Sequence, residues 1–398
     1  MWQRIKNFYH FIQAFLAATY FGFPSKKLIM IGVTGTDGKT TTVNMIYQIL
    51  KRAHLKVSMI SSVNAVIGKK SYDTGFHVTT PNPWHIQKYL KEMVEAGSEY
   101  AVLEVTSHGL DQNRVAFIDF QMGVVTNITH EHLDYHKTWG NYALAKAKLL
   151  RKVKYAILNI DDKSSIFLKP RASGKVVTFG INSQADFTPV NFPLKLKIIG
   201  DYNLYNALAA AATAHVIRVN NKVIKRALET FENLVGRMEE ISEGQDFKVI
   251  VDFAHTPNSL ERALTTLRSI TKGKLIAVFG SAGLRDVAKR RLMGEVSARL
   301  ADFTVITDED PRTEDKLRIA QAIAKGCQKA GALDGRDFMI VLNRSDAIKS
   351  AIDIARDGDT VGIFGKGHER SMCYGTKEYP WSDQKEARKA LKEKLKEH

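Results

Sequence analysis

Gly32-Val33-Thr34-Gly35-Thr36-Asp37-Gly38-Lys39-Thr40-Thr41 is the stretch that decides the fold. An apolar run, Leu28-Ile29-Met30-Ile31, precedes it, and a helix-like segment follows to about Arg52. Strand, glycine-rich turn and helix form the layout that holds a nucleotide's phosphates, because backbone N–H groups and a helix N-terminus converge on the anion. Gly35, Thr36, Asp37, Gly38, Lys39, Thr40 and Thr41 therefore read as the cradle of ATP or GTP. Lys39 is placed to reach the outer phosphates as a point charge, and the Thr40 hydroxyl suits the magnesium that bridges them. The common G-x-x-x-x-G-K-[ST] spacing asks for a glycine where this chain has Val33; the nearer glycine is Gly35. G-T-D-G-K-T-T is thus a narrower pattern than that of nucleotide binders at large.

At 398 residues, 44% hydrophobic and 25% charged, the chain is long enough for two or three domains with large cores. Its formal charge of +16 suits anionic partners, whether nucleic acid, small anionic substrates or an acidic membrane surface. The basic residues are spread along the chain with no Lys/Arg block interleaved with aromatics, so nucleic acid is not expected as a partner. Cys327 and Cys373 stand alone, which excludes a disulfide framework or a multi-cysteine zinc ribbon and fits a reducing, cytoplasmic setting. Residues 1–23 are rich in aromatic and apolar side chains but broken by Arg4, Lys6, Asn7, His10 and Gln13. They read as an amphipathic helix lying on the protein, or on a membrane or partner surface, and not as a signal peptide or a spanning segment.

Apolar, β-rich runs alternate with helical patterns almost from end to end, the signature of α/β architecture with mainly parallel sheets. The first series has strands at 28–33, 100–105, 123–126 and 155–159, with helices at 84–96, 142–152 and 206–216. The second has strands at 248–253, 274–279, 303–307, 338–342 and 360–364, with helices at 259–270, 291–300, 319–330 and 346–355. The expected division is a helical segment at 1–27, a central P-loop-type ATPase domain at 28–235 and a C-terminal Rossmann-like α/β domain at 236–398. Ligands of such sheets bind beyond the carboxyl ends of the strands, so a site between the two domains is expected.

Three further segments carry chemistry. Glu104 ends the apolar run Ala101-Val102-Leu103, and a carboxylate at the carboxyl end of a buried strand beside a phosphate loop suits magnesium. Residues 126–136 hold three histidines and two acids within His130-Glu131-His132-Leu133-Asp134-Tyr135-His136. Alone that cluster suggests zinc; beside a phosphate loop it fits a magnesium–nucleotide site that recruits one histidine. The alanine-rich run 141–148 contains Lys146, which alone would be a solvated helix lysine.

These segments, in this order, resemble the Mur ligases, which join amino acids to the growing peptidoglycan peptide with ATP, and are most similar to the MurE type, the UDP-MurNAc-tripeptide synthetases. The resemblance runs from Leu28 to about Asp383. It rests on Thr79-Thr80-Pro81-Asn82, Glu104-Val105-Thr106-Ser107-His108-Gly109-Leu110 and the run 126–136. It continues through Asp201-Tyr202-Asn203-Leu204-Tyr205-Asn206-Ala207, Gly236-Arg237-Met238-Glu239 and Val251-Asp252-Phe253-Ala254-His255-Thr256-Pro257. Glu309-Asp310-Pro311-Arg312 and Gly365-Lys366-Gly367-His368-Glu369 complete the set.

The resemblance implies an ADP-forming ligase that activates a carboxylate as an acyl phosphate and lets an amine attack it, with ATP and Mg2+ as cofactors. Lys39 would stabilise the transferring phosphoryl group, and Thr40, Glu104, His132 and a carbamylated Lys146 would serve the metal ions. Asn203 and Asn206 match the family's adenine contacts, and Arg237, Asp252 and His255 its ribose or phosphate contacts. Thr79, Thr80, Ser107, Gln112 and Arg114 match residues that grip the muramyl-peptide acceptor. Arg285, Glu309, Asp310, Pro311, Arg312, Gly365 and Glu369 match the site of the incoming diamino acid. Diaminopimelate-adding members resemble Asp-Asn-Pro-Arg where this chain reads Glu309-Asp310-Pro311-Arg312. Arg312 favours diaminopimelate on charge, and the two altered positions leave lysine open.

A MurE-type ligase also carries an N-terminal domain for the uridine nucleotide. Only 31 residues precede Gly32, too few for one, so the expectation is a chain without that module. The acceptor would then be held without it, or with help from a partner or membrane contact through residues 1–23. A relative acting on an acceptor not linked to UDP, such as a folylpolyglutamate synthetase-like or peptidoglycan-modifying enzyme, is the alternative.

Overall fold

The computed structural model describes residues 2–73, 80–129 and 131–396 and divides into two compact units, 1–232 and 233–398. Thr79 and His130 lie outside the described residues.

The first unit is built on an eight-stranded sheet. Its order is Lys70–Asp73, Asn64–Ile67, Val57–Ile60, Tyr100–Glu104, Ile29–Thr34, Phe120–Val125, Tyr155–Asn159, Lys175–Phe179. The last six run parallel, and the first two add an antiparallel hairpin at one edge. Ile29–Thr34 is central and buried over its last five residues, as the apolar run demands of a strand covered on both faces. Its register sets Val33 opposite Glu104 on one neighbour and Val124 on the other. The carboxyl ends of three adjacent strands therefore sit side by side, and the phosphate loop, Glu104 and the segment after Val125 leave the sheet together.

Two helices cover one region of this sheet. Lys39–Arg52 packs on the strands nearest the phosphate loop, and Asp201–Val216 on the strands beyond. They pack against each other, with Ala207, Ala209, Ala210, Ala211 and Ala212 wholly buried; side chains this small let two backbones approach closely. The second helix starts at Asp201, five residues ahead of the expected 206. Gly200, at φ 99, breaks the preceding chain, and Asp201 places an acid in the first turn, where the helix dipole favours it.

The amino-terminal segment is a helix, Trp2–Tyr20. It lies on the protein beside the helix Pro83–Glu95, with Phe11 and Phe15 5.1 and 5.5 Å from the ring of Phe117 and Tyr20 5.7 Å from that of Trp84. Among the described residues no helix is long and apolar enough to cross a membrane.

The second unit has a six-stranded sheet in the order Phe338–Ile340, Phe303–Ile306, Leu275–Phe279, Thr360–Phe364, Lys248–Asp252, Glu239–Glu240. All pairs are parallel except the last. Val249, Val251, Ile276, Val278, Val305 and Ile363 meet Ile348, Ile352 and Leu391 of the helices Arg344–Ile354 and Asp383–Lys394 in one core. A buried ion pair fastens these helices: Arg344 donates to both carboxylate oxygens of Asp383 at 2.8 Å and to the carbonyl of Phe364 at 2.8 Å. This bidentate pair holds the carboxyl end of Thr360–Phe364, from which Gly365 and Lys366 follow.

Candidate active site

The phosphate loop is held open by its neighbours. Gly38, at φ 81, is the N-cap of Lys39–Arg52, and a Cβ there would run into the Asn206 amide, so only glycine fits. A Cβ on Gly35 would strike the Thr126 hydroxyl. Thr126 donates to the Asp37 carbonyl at 2.6 Å, Asn127 does so at 3.1 Å, and Asp37 N–H donates to Asn127 Oδ1 at 3.0 Å. The segment after strand Phe120–Val125 thus clamps the loop. Lys39 Nζ donates back to the Thr36 carbonyl at 2.8 Å, and Thr36 Oγ1 lies 3.0 Å from the Tyr142 hydroxyl.

Thr40 and Glu104, far apart in the chain, meet at the strand ends. The Thr40 hydroxyl lies 3.1 and 3.0 Å from the two carboxylate oxygens of Glu104, and the Ser62 N–H donates to the same carboxylate at 2.9 Å. Both side chains are buried. A hydroxyl and a carboxylate side by side are hard oxygen donors of the kind magnesium takes, so this pair fits Mg2+. Ser62 escaped the sequence reading because its place follows from strand Val57–Ile60 lying beside Tyr100–Glu104, an order that no local pattern reveals.

Lys146 is buried in the same unit, 1% exposed. Its Nζ donates to the Gly35 carbonyl at 2.7 Å and sits 4.6 Å from the centre of the Tyr142 ring. Burial, followed by the charge of Lys39, drives its pKa well below the usual lysine value, against the weaker pull of Asp37 and Glu131. The charged form of this amine is therefore disfavoured relative to that of a solvated lysine.

The histidine run behaves differently from a metal cluster. Among the described residues no group of three or more His, Cys, Asp or Glu is arranged to hold a metal. His132, at φ 55, caps the short helix Leu133–His136, with Nδ1 3.8 Å from Glu131 Oε1 and its ring 4.8 Å from that of His108. His136 lies 3.1 Å from the Ser107 hydroxyl, and burial pulls its pKa down to about 4. At neutral pH it is an uncharged hydrogen-bonding group.

Thr80, Ser107, Gln112 and Arg114 fall in one neighbourhood. Thr106 N–H donates to Thr80 Oγ1 at 2.9 Å, and Arg114 Nη1 to the Thr80 carbonyl at 2.9 Å. Gln112 Nε2 approaches the Tyr135 hydroxyl at 3.4 Å. Arg114 Nε and Gln112 Oε1 are buried without a hydrogen-bond partner among the described residues, so each retains bonding capacity that a ligand can satisfy. Asn203 and Asn206 are joined to each other at 3.3 Å, and Asn206 also accepts from Thr42 at 3.4 Å.

In the second unit, Asp252 accepts the N–H groups of Met238 and Ala254, both at 2.8 Å. The Arg237 guanidinium stacks 4.5 Å above the Phe253 ring, and His255 Nδ1 meets the Phe253 carbonyl at 2.9 Å. Glu309, Asp310, Pro311 and Arg312 follow strand Phe303–Ile306. Asp310 (φ 43) and Arg312 (φ 55) are left-handed non-glycine residues either side of Pro311, a strained turn of the sort found at ligand sites. Lys366, which the sequence reading left without a role, is buried between Asp310 (2.8 Å) and Glu369 (2.5 Å). Glu309 faces Gly365, where a Cβ would strike its carboxylate. Its Oε2 has no partner among the described residues, and burial raises its pKa to about 7 against the pull of Lys289, Arg344 and Lys366. Arg312 Nη1 donates to the Gly283 carbonyl at 3.2 Å, and Arg285 is exposed on the loop before helix Ala288–Leu300.

Comparison with known proteins finds relatives over most of the chain. The UDP-N-acetylmuramyl-tripeptide synthetase of Roseiflexus sp. (strain RS-1) is 38% identical over 413 residues, covering 95% of this chain and 81% of that protein. The UDP-N-acetylmuramoyl-L-alanyl-D-glutamate--2,6-diaminopimelate ligase of Syntrophomonas wolfei subsp. wolfei (strain DSM 2245B / Goettingen) is 38% identical over 406 residues, 96% of this chain and 82% of that one. A solved structure of a UDP-N-acetylmuramoyl-L-alanyl-D-glutamate--2,6-diaminopimelate ligase superposes with a TM-score of 0.62 at 28% identity, over 93% of this chain and 79% of its own. The model of the Mur ligase middle domain matches residues 33–214, and that of the Mur ligase glutamate ligase domain matches residues 236–367. With the phosphate loop, the Thr40–Glu104 pair and the buried Lys146 all inside the first of those spans, the chain belongs to the Mur ligase family.

Proposed function

We propose that this protein is an ATP-dependent, ADP-forming ligase that adds meso-diaminopimelate to a muramoyl dipeptide in peptidoglycan precursor synthesis. The observation that carries the reading is the fully buried Lys146 amine against the Gly35 carbonyl of the phosphate loop. An ordinary helix lysine has no reason to be desolvated beside a nucleotide cradle. A neutral amine, however, can add carbon dioxide. The nitrogen lone pair forms the N–C bond, one C=O electron pair moves onto oxygen, one proton leaves, and the neutral amine becomes a carbamate anion.

The remaining residues divide the work of amide formation. The acceptor carboxylate attacks the γ-phosphorus of ATP and ADP leaves; the amine then attacks the acyl carbon, phosphate leaves, and the amine loses its proton. Lys39 and the loop N–H groups stabilise negative charge on the phosphoryl group. Thr40 and Glu104 would hold magnesium, with His132 and carbamylated Lys146 serving a second ion. Bound magnesium neutralises charge on the phosphate oxygens during transfer. Asn203, Asn206, Arg237, Asp252 and His255 are assigned to the nucleotide. Thr79, Thr80, Ser107, Gln112 and Arg114 are assigned to the acceptor, where an arginine fork pairs with phosphate or carboxylate.

Arg285, Glu309, Asp310, Pro311, Arg312, Gly365 and Glu369 are assigned to the incoming amino acid. Arg312 supplies a cation for a distal carboxylate, which diaminopimelate has and lysine lacks, and the names of the similar ligases support the same choice. Those names favour a muramyl acceptor over a folylpolyglutamate-like one. A cytoplasmic setting goes with this reading, and the two unpaired cysteines suit it. The test is ADP release: it should require both acceptor and diamino acid, whereas a nucleotide-binding module would release ADP independently of either.

A further inference from the structure

The helix Trp2–Tyr20 is mounted inside out. A surface helix ordinarily turns its apolar stripe to the core and its polar residues to water. Here two polar residues, Gln3 and Asn7, bond to the body of the protein. Gln3 Nε2 donates to the Tyr135 hydroxyl at 2.6 Å, Asn7 Nδ2 to Asp111 Oδ2 at 3.3 Å, and Asn113 Nδ2 to the Asn7 carbonyl at 3.3 Å. The small side chains of Ala14, Ala17 and Ala18 supply the buried apolar contact. The outer face carries Ile5, Phe8, Tyr9, Ile12 and Leu16, each between 41% and 65% exposed. At about 100° per residue these side chains fall within an arc of roughly 100°.

The charge on the helix and the segment that follows it is of one sign. No acidic residue occurs before Asp37, whereas Arg4, Lys6, Lys26 and Lys27 belong to the same stretch, and the three lysines are exposed. We infer that this face docks on an anionic lipid bilayer, the helix lying in the plane of the headgroups with its apolar side chains inserted. Apolar insertion supplies the affinity and the flanking cations attract acidic lipid, the combination that holds interfacial helices. A second copy is a poorer occupant, because it would bring two acid-free basic helices face to face. The hydrogen bonds from Gln3 to Tyr135 and from Asn7 to Asp111 favour this orientation of the helix.

Co-sedimentation of the full chain with vesicles tests this. Vesicles of phosphatidylcholine and phosphatidylglycerol are compared with phosphatidylcholine alone, at physiological ionic strength. The wild type should partition onto the phosphatidylglycerol vesicles and much less onto the neutral ones. Phe8→Ser/Ile12→Ser/Leu16→Ser should lower the partition by about a hundredfold with its melting temperature kept. Lys26→Glu/Lys27→Glu, which leaves the apolar face intact, should weaken binding to the acidic vesicles only. Failure of the wild type to sediment, or undiminished binding by the triple serine variant, overturns the inference. So does a concentration-dependent dimer that the serine variant dissociates without any vesicle binding, which would give the face to a second copy.

Discussion

Lys146 Nζ lies 2.7 Å from the carbonyl oxygen of Gly35, so a fully buried amine touches the first turn of the phosphate loop. The contact spans 111 residues of chain and sets a helix lysine against the glycine-rich loop.

Replacing this lysine separates stability from activity. Lys146→Met removes a desolvated amine, so the variant should be at least as stable as the wild type while ligation falls below detection. The native pKa is lowered, so between it and the free-lysine value the unfolded chain binds more protons, and wild-type stability rises with pH there. That slope should vanish in Lys146→Met. In Lys146→Ala, which leaves space, a short carboxylic acid or bicarbonate should restore part of the ADP release. Full activity in either variant contradicts the assigned role.

The Thr40–Glu104 pair makes a second prediction. Thr40→Val keeps shape but removes the hydroxyl 3.0 Å from Glu104 Oε2, and Glu104→Gln removes the charge. Each should lower kcat by about a hundredfold or more, the range found when a preorganised electrostatic group is lost. Magnesium titrations should show a raised metal requirement in both, while nucleotide binding without metal is retained.

Arg312 should decide the amino acid. Arg312→Ala is expected to raise KM for diaminopimelate about tenfold to a hundredfold, matching a charge-assisted hydrogen bond of ~1.5–3 kcal/mol. KM for ATP should stay put. Equal loss for both substrates would mean that the strained turn at Asp310 and Arg312 has collapsed.

Two buried groups should give opposite pH slopes in stability. Glu309, with its pKa raised to about 7, holds a proton that the unfolded chain has released, so its contribution falls as pH rises from the ordinary glutamate range through 7. His136, held down to about 4, stays neutral where the unfolded chain is charged, so its contribution is lost as pH falls from about 6.5 toward 4. Denaturant titrations between pH 4 and 7 should show the first slope disappear in Glu309→Gln and the second in His136→Asn. Unchanged pH profiles would contradict the burial of these groups.

How much of this was legible without coordinates depended on range. Strand, phosphate loop and helix could be read because each rests on neighbours: the apolar run, Gly38 at the N-cap, and a helix that ends at Arg52 as expected. The edge hairpin Asn64–Ile67 with Lys70–Asp73, and the strand Lys175–Phe179, were not foreseen. They are short and partly exposed, so they lack the continuous apolar signal of the central strands. Ser62 and Tyr142 were missed for another reason. Their partners, Glu104 and Thr36, lie 42 and 106 residues away, and only sheet order brings them together. Lys366 stood within a legible motif, but its burial between Asp310 and Glu369 required the fold.

The most direct measurement is ADP release from ATP at fixed magnesium with UDP-MurNAc-L-alanyl-D-glutamate as acceptor, with meso-diaminopimelate and lysine supplied separately. Turnover should need the acceptor and run with diaminopimelate far faster than with lysine. Turnover with lysine alone would contradict the role given to Arg312, and silence with both, in a protein that still binds ATP, would contradict the proposed ligase reaction itself.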